Sequence, residues 1–413
     1  MARLTPLTTA TLAASALSLS MNTMAHEVPG HHAPNSYLDA SISATWRSKG
    51  MVNRNDFWRV PGALMGGHAL PKEQGLEVDE VLLTFGHRFD HDMYVILGVA
   101  GHGGGEHQDI EVEHALLGYQ CCGHERPLLA EIGRSKPAFS PELARHDHQR
   151  HFSERPLAVD VFFGGHVHDE MARLWWHQPQ GFSAGVELLR GSAFPATPGQ
   201  GGGAGSIFVS QYWQTDSVTV TAGAWSFFAR ADQRPDARYQ DGHSHGPASL
   251  QPPPDVRFSG DTTLHGFHLD LNWAFLPGWH MGLNGEWMAM RADGQISEAN
   301  RRADIDSTHQ GYWLQPSIGR GNHTVALRYD HLQLDNHIRG AAASSLAEDA
   351  GLINPGEDPT RLTLGWRWQA RQHVALRLEA SRDESTLERR QRINLGVVWQ
   401  QRLAPSMAQT HQH

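Results

Sequence analysis

Hydrophobic and polar residues alternate with period two along most of this chain. In "LHGFHLDLNWAF", Phe267, Leu269, Leu271, Trp273 and Phe275 share one face, while His268, Asp270 and Asn272 share the other. "RLTLGWRWQ" sets Leu362, Leu364, Trp366 and Trp368 opposite Thr363, Gly365 and Arg367. "LDASISATWR", "VALRLEA" and "RINLGVVW" obey the same rule. Successive side chains of a strand point to opposite sides, so alternation of this length predicts strands with one apolar and one polar face. Sixteen such segments are predicted, at 37–47, 80–89, 93–101, 111–120, 127–134, 170–177, 182–190, 206–214, 218–229, 262–275, 279–291, 310–317, 323–332, 361–370, 373–382 and 392–402.

The connections between them decide the architecture. "FDHD", "CCGHERP", "HQPQG", "QTDS", "LPGW", "GRGN" and "ARQH" are short, whereas 48–79, 135–169, 191–205, 230–261, 292–309 and 334–360 are long. Short turns at one end, long loops at the other and an even strand number describe a barrel of the outer-membrane type. A soluble sandwich shares the alternation but not this spacing. Closure also leaves no unpaired edge in lipid, so strands can be apolar outside and polar inside. Trp46, Trp273, Trp279 and Trp368 lie near strand ends, where an interfacial girdle belongs. The expected fold is all-β, a transmembrane antiparallel barrel of about 16 strands over 37–402. A short segment 26–36 precedes it and a tail 403–413 follows.

The N-terminus carries a positive charge in "MAR", an apolar run, and small residues up to Ala25. It reads as a secretory signal peptide, 1–25, and predicts export to a Gram-negative-type outer membrane. No later stretch approaches the roughly 18 apolar residues of a membrane helix. Cys121 and Cys122 are the only cysteines, which excludes a disulfide framework. A net charge of −10 with only Lys49, Lys72 and Lys136 as lysines offers no basic face for nucleic acid and favours cations over anions.

Three stretches carry a resemblance: "VPGALMGGHALPKEQGLEVDEVLLTFGHRFDHDMYVILGVA", "IEVEHALLGY" and "RHFSERPLAVDVFFGGHVHDEMARLWWHQP". With their "PG…GG" loop, acidic "EVE" and "RPL…GG", they resemble a zinc-regulated outer-membrane receptor family, porin-like, distantly similar to phosphate-selective porins and often labelled TonB-dependent. The similarity is clearest over 57–230. It implies an outer-membrane channel connected with metal supply, zinc above all. Energised receptors carry a plug domain inside a larger barrel, commonly of about 22 strands. Here the first strand starts near Tyr37, so a passive, plug-free channel is expected.

The chain holds 28 histidines, several of them clustered. In 135–169, expected to be an extracellular loop that folds inward, "PLAVDVFFGG" can pack against the wall. His146, His148, His151, His166, His168 and Asp169 would then face water at the channel mouth. His102, Glu106 and His107, and His243 with His245, echo this in other loops. Imidazoles with carboxylates form a borderline ligand set suited to zinc, nickel or copper, bound weakly and exchangeably. Any single histidine can equally be a solvated loop residue. A third reading is a pH response, since clustered imidazoles gain charge between about pH 5 and 7 and would repel cations. "CCGHE" offers Cys121, Cys122, His124 and Glu125 for metal, for a vicinal disulfide or for local packing.

The polar faces predict a lumen lined by Asp39, Arg47, His268, Asp270, Glu286, Arg328, Asp330, Arg367, Arg377, Glu379 and Arg392, paired across neighbouring strands. Small inward residues such as Ser41, Ser43, Gly266, Gly282, Gly365 and Ala375 favour an open bore. No hydrolase motif accompanies the Ser/His neighbours, so no enzyme and no required cofactor are expected. The expected partners are outer-membrane lipid and small solutes, with divalent metal ions favoured; a homotrimer is one open assembly. The rival reading is a surface metal-binding or structural barrel without transport.

Overall fold

A computed structural model describes residues 36–53, 56–89, 92–103, 109–122, 128–178, 181–197, 203–236, 238, 254–354 and 356–404. Sixteen strands run through them: β1 Ser36–Arg47, β2 Gly75–Arg88, β3 Met93–His102, β4 Asp109–Cys121, β5 Leu128–Ser135, β6 Asp169–His177, β7 Phe182–Leu189 and β8 Ala204–Gln214. Then follow β9 Val218–Arg234, β10 Arg257–Leu276, β11 Trp279–Glu298, β12 Arg301–Arg320, β13 His323–Arg339, β14 Thr360–Arg371, β15 Val374–Glu384 and β16 Arg390–Ala404. Each pairs antiparallel with its neighbours in sequence, and β1 pairs with β16 to close the barrel. Every predicted strand is present.

The outer face carries an apolar belt. Ile42, Leu83, Leu97, Leu117, Leu174, Val209, Phe267, Leu314, Leu364 and Leu395 are all exposed on it. Such a girdle on a closed wall needs lipid around it, so the chain is an outer-membrane barrel.

Strand length departs from expectation above the belt. The predicted loop 292–309 is instead the far ends of β11 and β12 around a two-residue turn, with Ala299 at φ +52°. On β12, Arg302, Asp304, Thr308 and Gln310 face outward and are exposed, whereas Ala303 and Ile305 are buried inward. Polarity is reversed there. Outside lies water, and inside lies a cluster of Phe258, Ile296, Ile305, Leu346 and Leu352, partly supplied by helix α3 (Ala343–Asp349).

The bore is narrowed by two inserted segments, 48–74 and 136–168. The second carries α1 (Pro141–Ala144), a single 3-10 turn at Asp147–Gln149 and α2 (Leu157–Phe163). Gly164 ends α2 in the left-handed conformation at φ 67°. Phe139, Leu143, Leu157, Phe162 and Phe163 pack on Trp225, Phe227, Leu264, Met288 and Leu332 of β9–β13. At about 1.5–3 kcal/mol for each large side chain withdrawn from water, this patch fixes the segment inside the barrel.

The inward glycines do not leave open space, contrary to the sequence expectation. The indole of Trp225 covers Gly266, and an added Cβ there would lie 2.2 Å from it. Phe152 covers Gly365 in the same way, at 2.6 Å. A small residue on a strand makes room for its neighbour's ring as readily as for water.

Candidate metal site on the inner wall

Two Gly-Gly-His segments, 98 residues apart, meet inside the bore: Gly66-Gly67-His68 and Gly164-Gly165-His166. Gly67 and Gly164 both sit at φ +67°, and a Cβ on Gly67 would stand 2.8 Å from the Gly164 Cα. Only glycine permits both the backbone conformation and the contact. The His68 amide donates to the Gly164 carbonyl at 2.8 Å. The crossing stacks His68 on His166 with ring centroids 4.5 Å apart, and His102 also stacks with His166, at 5.1 Å.

Opposing carboxylates come from β2 and β4 through two bulges. In β4 the register passes from Val99↔Val112 to Gly98↔His114, so Glu113 is the extra residue and both Glu113 and His114 are buried. In β2 it passes from Ala44↔Val78 to Ser43↔Glu80, so Asp79 and Glu80 are both buried. A bulge sets two consecutive residues against one partner and re-aims a side chain. Glu111, Glu113 and Glu80 thus line the wall that the histidines face.

The contacts form a continuous patch. His102 Nε2 lies 3.1 Å from Glu113 Oε1, and His168 Nε2 lies 2.7 Å from Glu113 Oε2. His146 Nδ1 is 3.1 Å from Glu80 Oε1, and His148 Nδ1 is 3.0 Å from Ser41 Oγ. Lys136 Nζ is 3.0 Å from Glu113 Oε2. Around Glu111 the spacing is wider: His68 Nδ1 at 3.7 Å, His166 Nε2 at 3.8 Å and His168 Nδ1 at 3.9 Å. These are too long for hydrogen bonds. Ligands bound at about 2.0–2.1 Å around a tetrahedral ion stand roughly 3.4 Å apart, close to this spacing. His166 Nε2 is buried and has no hydrogen-bond partner among the described residues. The His68–Glu111–His166 set has the donor types and spacing of a site for a divalent transition ion, and it opens outward through His68, whose side chain is 54 % exposed. Arg155 donates to His166 Nδ1 at 3.1 Å, so the neutral ring carries its hydrogen on Nε2 and an ion there must displace Arg155.

His146, His166 and His168 of the inserted segment are held neutral. Burial and the nearby His68 and Arg155 keep His166 well below its ordinary value. Burial brings His168 down to about 4 despite Glu113. Burial and Lys136 lower His146. Neutral imidazole is the ligand form. The protonation window anticipated from sequence, near neutrality, accordingly lies lower.

Several sequence expectations are corrected. His146, His166 and His168 do not face water; they are buried against the wall. Asp169 opens β6 and accepts from the Gly191 and Ser192 amides at 2.7 and 3.1 Å, so it anchors a neighbouring loop and takes no part in the patch. His151 stands apart, next to Arg367 and Arg377, where burial and these cations push it down to about 3. Glu106, His107, His243, His245, His124 and Glu125 lie outside the described residues. Cys121 and Cys122 are free thiols at the end of β4. His68, Glu80, Glu111 and Glu113 were not anticipated as ligands, although "GGH" and "EVE" contain three of them.

The anticipated lumen residues do face inward, but many meet the inserted segment as well as neighbouring strands. Glu286 accepts from Ser140 Oγ at 3.0 Å, and Asp270 accepts from Arg145 at 3.0 Å. Arg328 pairs with Asp330 at 2.9 Å and donates to the Glu154 carbonyl at 2.8 Å. Glu379 accepts from Ser153 N and Oγ, both at 2.8 Å. Glu154 is clamped by Arg392 and Arg361, which also share Asp383. Arg47 pairs with Glu77 and Asp79.

No protein-family model and no curated protein matches the chain. Solved structures do. OprB of Pseudomonas putida is 11% identical with a TM-score of 0.51, covering 89% of this chain and 94% of its own. The fold is that of a porin. The anion-selective porin of Comamonas acidovorans is 11% identical, covering 89% of this chain and 99% of its own at a TM-score of 0.49. The outer-membrane channel DcaP of Acinetobacter baumannii is 12% identical, covering 89% and 96% at a TM-score of 0.49. The porin fold of this chain thus places the imidazole–carboxylate patch on the inner wall of the bore.

Proposed function

We propose that this porin-like barrel passes small hydrophilic solutes and that divalent transition ions, zinc first, are its favoured cargo. The observation that carries the reading is the convergence of His68, His166 and Glu111, two nitrogens and a carboxylate at ligand spacing with one buried nitrogen unpartnered. An arriving ion meets the exposed His68 ring, exchanges water for Glu111 and His166, and has His168 within reach of the same carboxylate. Three ligands leave room for retained water, so capture is reversible, as transit requires.

The test is single-channel conductance of the full refolded chain in a planar bilayer. Micromolar zinc should make the channels flicker or narrow, and the double variant His68→Ala/His166→Ala should abolish that response while conducting. Channels indifferent to zinc refute the metal cargo. A folded chain that never conducts refutes transport and favours a metal-binding barrel.

A further inference from the structure

Lys136 begins the inserted segment directly after β5, and its side chain is buried. Its ammonium lies 3.0 Å from Glu113 Oε2 and 3.0 Å from His146 Nδ1. Glu113 and His146, with His114, present a second set of two nitrogens and a carboxylate, all within 4.8 Å of one another. A cation of the protein's own therefore stands where a metal ion has ligands.

The ammonium is an imperfect occupant. His146 Nδ1 meets Lys136 Nζ at 3.0 Å and Glu80 Oε1 at 3.1 Å. One ring nitrogen cannot both accept from the ammonium and donate to the carboxylate, so one of the two contacts is always unfavourable. A divalent ion resolves the conflict, since it takes the lone pair of Nδ1 and attracts both carboxylates. His168 joins this set to the first one. Its Nδ1 is 3.9 Å from Glu111 Oε2, and its Nε2 is 2.7 Å from Glu113 Oε2.

We propose that Glu113, His114 and His146 form a second station for divalent transition ions, which Lys136 fills with its own ammonium until an incoming ion displaces it. This rests on the metal reading of the first station. The bore then holds two stations in series. The inner one admits ions that bind imidazole well enough to evict a hydrogen-bonded ammonium, a demand that hard alkali and alkaline-earth ions do not meet.

Zinc titration of the full refolded chain by calorimetry separates the two claims. The wild type should bind one ion at the first station and a second at least tenfold more weakly. Lys136→Met, which keeps the stem but not the charge, should tighten the second site tenfold or more; His146→Ala in that background should remove the gain. Lys136→Arg retains a cation and should show no gain. If Lys136→Met does not fold, Lys136→Gln carries the same expectation. His68→Ala combined with Lys136→Met should keep one site. Binding by Lys136→Met that matches the wild type overturns the second station and leaves the first standing. No zinc bound by either chain overturns both.

Discussion

The two sides of the bore hold charge in opposite ways. On β13–β16 and β1, guanidiniums of the wall meet carboxylates, with Glu154 of the inserted segment between Arg361 and Arg392. On β2–β4, carboxylates of the wall meet imidazoles and the ammoniums of Lys136 and Lys72. A guanidinium keeps its proton at every working pH and forks onto a carboxylate, so the first side is a fastener. A neutral imidazole keeps a lone pair, so the second side can trade one partner for another. The same inserted segment is gripped on one side and left exchangeable on the other.

The comparison breaks most sharply at Glu154. Glu154→Gln leaves buried Arg361 and Arg392 short of a counter-charge, and removing one partner of a buried pair costs about 3–5 kcal/mol. The segment should come free of β14–β16, read as protease cleavage within 136–168 of a barrel that still migrates as folded. An uncut segment in that variant would mean that the apolar patch alone holds it.

Gly67→Ala attacks the other side. A side chain in the left-handed region costs about 1–2 kcal/mol, and here it also meets Gly164. The two Gly-Gly-His segments should part, with zinc affinity down about tenfold, the order seen when ligand support is lost. Melting of the barrel should barely change. Unaltered zinc binding by calorimetry would separate His68 from the site.

Acidification sharpens the contrast more mildly. His151 is held down to about 3 and His168 to about 4, against about 6.5 in an unfolded chain. Between those values the unfolded state binds more protons, so stability falls as pH drops from about 6.5 towards 4. Glu142, Asp147 and Glu154, kept low by their arginines although burial opposes this, add losses in the same direction at lower pH. Asp160, which burial raises to about 6, acts oppositely between about 3.8 and 6 and offsets part of this. From His151, His168 and Asp160 the expected net loss by about pH 4.5 is of the order of 3 kcal/mol. Hydrogen exchange in 136–168, corrected for intrinsic rate, should show less protection at about pH 4.5 than at 7. Equal protection would contradict the neutral, buried imidazoles.

Where lipid touches the wall, the sequence is explicit. Phe267 to Phe275 and Leu362 to Trp368 alternate because a bilayer tolerates nothing else there. Above the belt, Arg302 to Gln310 read as a loop because water allows polar residues outside a continuing strand. The ligands were half legible for a related reason. Strict period two puts Asp79 and Glu80, or Glu113 and His114, on opposite faces, and only the bulges bring both members inward. His166 and His168 were found by clustering, but Asp169, their neighbour in sequence, opens a strand and turns to Gly191. His68 gave a signal in "GGH", whose meaning depends on a second "GGH" 98 residues away.

Arg367 and Arg377 face each other across β14 and β15 close to the short turn that joins them. Among the described residues they donate to backbone carbonyls of Arg150, His148 and Asp147, and neither forms an ion pair. The glutamates of the exchangeable side lie towards the opposite, long-loop end. Along the axis, the imidazole–carboxylate patch and this pair of arginines therefore stand at different levels of the wall. A cation passing the bore should meet the two groups in opposite order from its two ends, and the expected outcome is unequal single-channel conductance at opposite voltages.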